Sequence, residues 1–519
     1  MGSVRQGIFT KTSSRMRYSL LKSVGSLSLL MGMTGFFTAC QDDSDTVTVN
    51  KIDLPFQALT DNNQLLAFNA NNVATAPAAV TITGLQSNER ILSVDYRPAT
   101  GQLYGLGSTS RLYVINPTTG VARAVGAGAF SPAINGTTAT IDFNPTVDRL
   151  RLVSSTGQNL RLNPETGAVA ATDGSINGVT GATVSAVAYT NSVSGASATV
   201  LYDIDPATDK LYRQDPPNDG TLVAIGDLGV NATGLAGFDI SAVDNNAFAA
   251  LVVDNRSGLY KIDLATGRAA RYDNFPASTN VIGVAIPTQA VAYGVDADNN
   301  FVAFNPSAPQ TQVAKPLTGL QTGERLVGLD MRPANGQLYG LGSTNRLYTI
   351  NMASGAAAVV GTVTLPLTGT NFGFDFNPTV DRIRIVSDAG VNLRVNPADG
   401  VAIVDGTLNP GTPSVTAAAY TNNFAGATTT VLFAIDSNTD QLYRQDPPNA
   451  GTLVALGALG VNTTGVNGFD IGGTSGTGFA VLTVGTTASV YTINLATGAA
   501  TKGTDLPRPL QAMAVGLGF

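Results

Sequence analysis

The sequence predicts an all-β chain folded as tandem β-propellers of four-stranded blades. A composition suited to turns, a domain-length repeat and a shorter repeat nested inside it point to this fold. The 519 residues are enough for two or three domains with full cores, and hydrophobic residues make up 43% against 13% charged. Thr, Asn, Ala, Gly and Pro fill the difference, as a secreted protein of short strands and many turns requires. Disorder is excluded because β-branched and aliphatic residues recur throughout. Of the acidic residues only Glu89, Glu165 and Glu324 are glutamates. Aspartate favours turns and glutamate favours helix, so the skew also argues against helix.

The absences narrow the chemistry. The chain has no histidine, which excludes a Ser-His-Asp triad, a Cys-His pair and any zinc or iron site built on imidazole. It has no tryptophan, the strongest stacking platform for sugars and bases. Net charge is −7, and residues 1–39 hold Arg5, Lys11, Arg15, Arg17 and Lys22 but no acid. Without that segment the chain is more acidic still and repels phosphate backbones, so nucleic acid is not an expected partner.

In chain order, "MRYSLLKSVGSLSLLMGMTGFFTACQDDSD" from Met16 has a basic start, an apolar run and small residues before Cys40. The run is too short for a spanning helix and suits a signal peptide. "FTAC" resembles the lipobox of bacterial lipoproteins, which implies cleavage before Cys40 and its lipidation. Residues 1–39 are then a lipoprotein signal peptide, and 40–54 a lipidated acidic linker. Asp42, Asp43 and Asp45 resemble the acidic export signal of some Gram-negative lipoproteins, implying the outer face of the outer membrane. A solvated linker is the plainer reading of such a run. The expected partners are the membrane, through this anchor, and an extracellular ligand, glycan or protein. Cys40 is the only cysteine, so no intrachain disulfide can form.

The long repeat follows. "GQLYGLGST" occurs at 101–109 and 336–344, "LYRQDPPN" at 211–218 and 442–449, and "LGVN" at 228–231 and 459–462. One propeller is expected over 55–286 and a second over 287–519. Inside each, a strand ending in Asn or Asp and a turn recurs: "LLAFNANN", "LYVINPTTG", "LRLNPETG", "LYRQDPPNDG" and "LYKIDLATG" in the first copy. Successive starts lie 42 to 51 residues apart, the length of a four-stranded blade. "DFNPTVDRLRLV" from Asp142 aligns without gaps on "DYRPATGQLYGL" from Asp95. It therefore reads as blade skeleton: a strand end, a turn fixed by Pro145, and a strand whose Leu150 and Leu152 alternate into the core. Asn144 and Asp148 can bond to the backbone of that turn.

Closure decides the number of rings. The first copy opens with "FQALTDNNQLLAFN", which supplies only outer strands, and ends with "VIGVAI", which supplies the missing inner one. The second runs from "QAVAYGVDADNNFVAFN" to "LQAMAVGLGF" in the same way. Two five-bladed propellers are expected, since closure removes open sheet edges. One ten-bladed ring is the alternative.

"DYRPATGQLYGLGSTSRLYVINPTTG", "DFNPTVDRIRIVS" and the "LYRQDPPN" turns resemble the bacterial domain-of-unknown-function family 4394, twice over nearly the whole chain after the leader. The resemblance implies the domain boundaries and secretion, and brings with it no reaction or ligand.

The innermost strands align as one column: Asp95, Asp142, Ala188, Asp239, Ala285, then Asp330, Asp375, Ala419, Asp470, Ala514. Each propeller is expected to hold three aspartates near its axis. The bland reading satisfies each carboxylate with strand amides or an arginine. Arg97, Arg149, Arg151 and Arg161 are candidates in the first copy; Arg332, Arg382, Arg384 and Arg394 in the second. The functional reading is a cation or polar-ligand site, with calcium or magnesium favoured over zinc by oxygen ligands alone. "DIDPATD" (Asp203, Asp205, Asp209) has a spacing close to a calcium loop but lacks its glycine and distal glutamate, and reads better as a turn. "YRQDPPN" places Tyr212, Arg213 and Gln214 on a strand and Asp215 at a proline turn.

These features favour a surface-anchored binding or adhesion module over an enzyme. The alternatives are a hydrolase or lyase acting on carbohydrate through axial aspartates, which would need one raised pKa, and a non-catalytic envelope structural protein.

Overall fold

Short runs rich in Val, Ile, Leu, Tyr and Phe, each stopped by Asn, Asp or Gly, become strands throughout the molecule. The computed structural model describes residues 51–465 and 468–519. They form ten four-stranded antiparallel sheets, and the only helical pieces among the described residues are two 3₁₀ turns, Pro217–Asp219 and Pro448–Ala450. The signal peptide, Cys40 and the Asp42–Asp45 run lie outside the described residues.

The inner strands of the first ring are Ile91–Tyr96, Ala139–Asn144, Ala186–Tyr189, Ala232–Ile240 and Val281–Ala285. Each packs beside the next, and the fifth packs back on the first. In the second ring, Leu326–Arg332, Phe372–Asn377, Val415–Tyr420, Gly468–Ile471 and Leu510–Val515 follow the same cycle. Closure comes from the last strand of each copy. Val281–Ala285 pairs with Pro55–Thr60, Ala58 opposite Val284, and Leu510–Val515 pairs with Ala292–Asp296, Tyr293 opposite Ala514. The ten-bladed alternative is thereby excluded. "VIGVAI" is used up on its own ring, where the side chains of Val281, Val284 and Ala285 are buried.

Sandwiched between blades, alternate side chains form the cores. Leu150 and Leu152 are both buried in a cluster with Tyr104 and Phe143, whose rings meet edge-on at 5.1 Å. Burying each leucine contributes about 1.5–3 kcal/mol. The turn before them is held as the sequence suggests at one end: Asn144 Oδ1 accepts the Thr146 N–H at 3.0 Å. At the other end Asp148 sits at φ 50°, a region short polar residues tolerate. Its carboxylate turns away from its own turn and receives Arg97 from the preceding blade, at 2.9 Å and 2.5 Å. That correction makes the motif an inter-blade clasp as well as a turn.

The two rings touch around this clasp. Arg97 is fully buried and also donates to Gly336 O of the second ring at 3.4 Å. Tyr293 Oη donates to Ala99 O at 2.9 Å and lies 2.6 Å from Ser194 Oγ. Arg332, the second-ring counterpart of Arg97, pairs with Asp381 in a partly exposed setting.

Candidate functional site

An aspartate near the end of an inner strand, flanked by residues that pack between blades, is directed to the ring axis. The structure gathers all six in that way. One carboxylate oxygen each from Asp95, Asp142 and Asp239 lies within 4.8 Å of the others, and the same holds for Asp330, Asp375 and Asp470. All six are buried, at 1–6% exposure.

Backbone amides partner them in a relay around each axis. Asp95 accepts from Tyr96 N at 2.7 Å on its own strand and from Phe143 N at 2.7 Å on the next. Asp142 reaches onward to Tyr189 N at 2.9 Å. Asp239 accepts from Ile240 N at 2.6 Å and Ile286 N at 2.5 Å. The second ring repeats the pattern with Met331 and Phe376, with Tyr420, and with Ile471 and Val515. Each aspartate therefore ties its blade to the next, while the alanines of the column, Ala188 and Ala285, cannot.

The arginines offered by the sequence serve elsewhere. Arg97 binds Asp148 and Glu165, and Arg149 donates to Asp148 O. Arg151 donates to Asn159, Asp173 and Asn218, and Arg161 pairs with Asp173. Arg332, Arg382, Arg384 and Arg394 take the matching places in the second ring. The arginine half of that reading is thus corrected: Arg97, Arg151, Arg332 and Arg384 bridge neighbouring blades, and Arg149, Arg161, Arg382 and Arg394 bond within their own blade.

Without a cation, the carboxylates oppose one another. Two unit charges about 4–5 Å apart repel by about 4 kcal/mol at an effective dielectric near 20. Burial pushes the Asp95 and Asp470 carboxyls up to about 7, against the pull of their amide donors. Burial, then the neighbouring Asp95 and Asp239, carries Asp142 well above the carboxylate range. Asp375 rises for the same reasons beside Asp330 and Asp470, and burial followed by one neighbouring acid raises Asp239 and Asp330. The set can stay together as shared acids or around a positive ion.

Other candidates resolve differently. In "DIDPATD", Asp205 accepts from Ala207 N at 2.8 Å and Thr208 Oγ1 at 2.9 Å, and Asp209 accepts from Ala232 N at 2.8 Å. Asp203 is fully buried and points elsewhere, so the motif is a turn and its three acids do not converge. In "YRQDPPN", Tyr212 and Gln214 are buried and Arg213 pairs with Asp215 at 2.9 Å on the surface. Sequence reasoning missed Glu89, a buried residue that accepts from Thr109 Oγ1 and Tyr113 Oη, each at 2.5 Å. Burial alone would raise its pKa, but these donors hold it below the usual value. Glu324 repeats the arrangement.

A family model described as "Domain of unknown function (DUF4394)" matches residues 64–285 and again 300–516. No curated protein matches the chain. Among solved structures, the extracellular domain of a hybrid two-component system from B. thetaiotaomicron is 13% identical, covering 88% of this chain and 67% of its own, at a TM-score of 0.25. PorZ, a surface component of the type-IX secretion system of Porphyromonas gingivalis, is 13% identical over 88% of this chain and 60% of its own, with TM-score 0.25. The computationally designed Ika8 protein is 10% identical, covering 80% and 99%, with TM-score 0.22. At such TM-scores these likenesses carry no functional argument. No helix among the described residues is long and apolar enough to cross a membrane.

Proposed function

From the premise that this chain belongs to the DUF4394 family and carries its domain twice, we propose a two-headed binding module, tethered to the bacterial surface through Cys40, for an extracellular glycan or protein. The observation that carries the reading is an exposed Arg–Val pair present once in each ring, flanked by an aromatic residue that packs into the core: Tyr202 partly, Phe433 fully. Tyr202, Arg213 and Val223 stand side by side on three neighbouring strands, and Phe433, Arg444 and Val454 stand likewise. The arginines pair with Asp215 at 2.9 Å and Asp446 at 3.0 Å, with side chains 42–52% exposed. Val223 and Val454 are exposed beside them. An arginine fork next to apolar surface suits a carboxylate, amide or sugar hydroxyl. The contacts around Arg97 hold the two pairs in one body, so a repetitive ligand could engage both and gain avidity.

The hydrolase or lyase reading draws no support from the axial aspartates. Glycosidic cleavage needs two accessible carboxyls about 5–9 Å apart, whereas these oxygens are buried and lie within 4.8 Å.

Screening the full chain against surface polysaccharides and envelope proteins, alongside Arg213→Ala, Arg444→Ala and the double variant, tests the proposal. Each single variant should lose the avidity gain, about 100-fold or more, and the double variant should lose binding altogether. A double variant that binds like the parent, or a parent that binds nothing, would overturn it; the second outcome leaves the envelope structural reading. Cys40→Ser should release the protein from the membrane fraction, and unchanged fractionation would remove the tether.

A further inference from the structure

The rings differ beside their carboxylate clusters. At the position of Ser192 in ring one, ring two carries Asn423. Ser192 Oγ donates to Tyr189 O at 3.2 Å and has no part in the cluster. Asn423 is 1% exposed, and its amide end rests against the cluster, with Nδ2 3.5 Å from Asp470 Oδ1. Its amide oxygen is buried and has no hydrogen-bond partner. A 3.5 Å contact is at the outer limit of a hydrogen bond, so little holds the amide in this sense. Turning it about χ2 exchanges nitrogen for oxygen. The amide oxygen is left without a donor or a positive partner, and buried polar atoms are rarely left so.

The layer below the cluster differs as well. In ring two it holds Gly328, Gly373 and Gly468, around a cavity of about 10 Å³, room for about one water. In ring one Ser93 and Thr140 stand at the places of Gly328 and Gly373, around a cavity of the same volume, so the difference lies in the lining and not in the space.

We propose that ring two encloses one calcium ion, held by Asp330, Asp375, Asp470 and the amide oxygen of Asn423, and that ring one, lacking the amide, does not. The ligands are all oxygens, as calcium requires. The carboxylate oxygens fall within 4.8 Å of one another, close enough to share one ion, and calcium accepts irregular oxygen shells where magnesium demands a near-ideal octahedron. Carboxylates keep lone pairs for an ion while accepting the strand amides. The ion would balance charge that the ring otherwise holds only by taking up protons.

Elemental analysis of the full chain purified without chelator, together with thermal unfolding in calcium, in magnesium and in EDTA, tests the assignment. One calcium per chain and a higher melting temperature in calcium than in EDTA are expected. Asn423→Ser installs the side chain that ring one already tolerates, and should weaken calcium binding about 10-fold or more with the fold intact. Asp142→Asn should leave the single calcium in place. Absence of calcium with unchanged melting would overturn the proposal. So would two calcium ions per chain, or calcium binding indifferent to Asn423→Ser.

Discussion

Replacing Asp203 by alanine should stabilise the protein. Asp203 lies between Val187 and Tyr212 in the strand register, is fully buried, and neither carboxylate oxygen has a hydrogen-bond partner. Arg151 of the adjacent blade favours the charged form, but its N–H groups are committed to Tyr189, Asn159, Asp173 and Asn218. Tyr189 and Tyr212 are the other titratable groups packed on this face, within one apolar cluster. Burial dominates and pushes the carboxyl well above its ordinary 3.8. Ring two has Ala434 at the matching place, also fully buried, so the fold accepts alanine there. An unsatisfied buried polar group costs about 1–3 kcal/mol, and Asp203→Ala should recover most of that, less a small void. For a domain of this size the gain corresponds to about 2–4 °C per kcal/mol. The sign with pH follows from linkage. The native pKa is raised, so wild-type stability is fullest below about pH 4 and is lost as pH rises through the native value. Scanning calorimetry of both proteins should therefore show the variant's advantage largest near pH 8 and shrinking towards pH 4. A variant less stable than wild type near pH 8, or an advantage that does not change with pH, would refute this account of Asp203.

Arg97→Met should destabilise the full chain by about 3–5 kcal/mol, because Asp148 is left buried and unpaired, whereas Arg332→Met, at a more exposed pair, should cost about 1 kcal/mol; denaturant titration compares them. Glu89→Gln with Glu324→Gln should cost stability near neutral pH. Both carboxyls are held below their usual pKa, so the wild-type advantage is lost as pH falls through the depressed native values, and acid titration by circular dichroism should show the gap closing. Gly101 sits at φ 71°, and a Cβ there would fall 2.2 Å from the Phe519 ring. Gly101→Ala should then cost about 1–2 kcal/mol from the backbone alone, with more from the displaced ring, read as a lower denaturation midpoint.

The blades were legible because their signals are local. A strand of alternating apolar residues and an Asn or Asp turn repeats at fixed spacing, and the spacing of "VIGVAI" from the first outer strands pointed to five blades. The axial column was legible for the same reason: gapless alignment of inner strands carries Asp95 onto Asp142, and register then places them alike. What escaped reading is whatever depends on one blade lying against another. Arg97 meets Asp148 across 51 positions of sequence, and no periodicity says which arginine turns outward. Asp203 read as part of a turn because its neighbours Asp205 and Asp209 are; its isolation follows from packing against Arg151's blade. Glu89 gave one signal that could have been used, being one of only three glutamates in an aspartate-rich chain.

Because the strand that seals each ring is the last one made, synthesis itself sorts two parts that close their rings in the same way. Until Val281–Ala285 emerges, ring one is an arc with a bare strand edge at Pro55–Thr60, open to any matching partner. Leu510–Val515 would be such a partner, but it is still more than two hundred residues from being translated. Ring one can latch first, since chains emerge and fold from the N-terminal side. Refolding from denaturant abolishes that queue, and there the two latches compete for both edges at once.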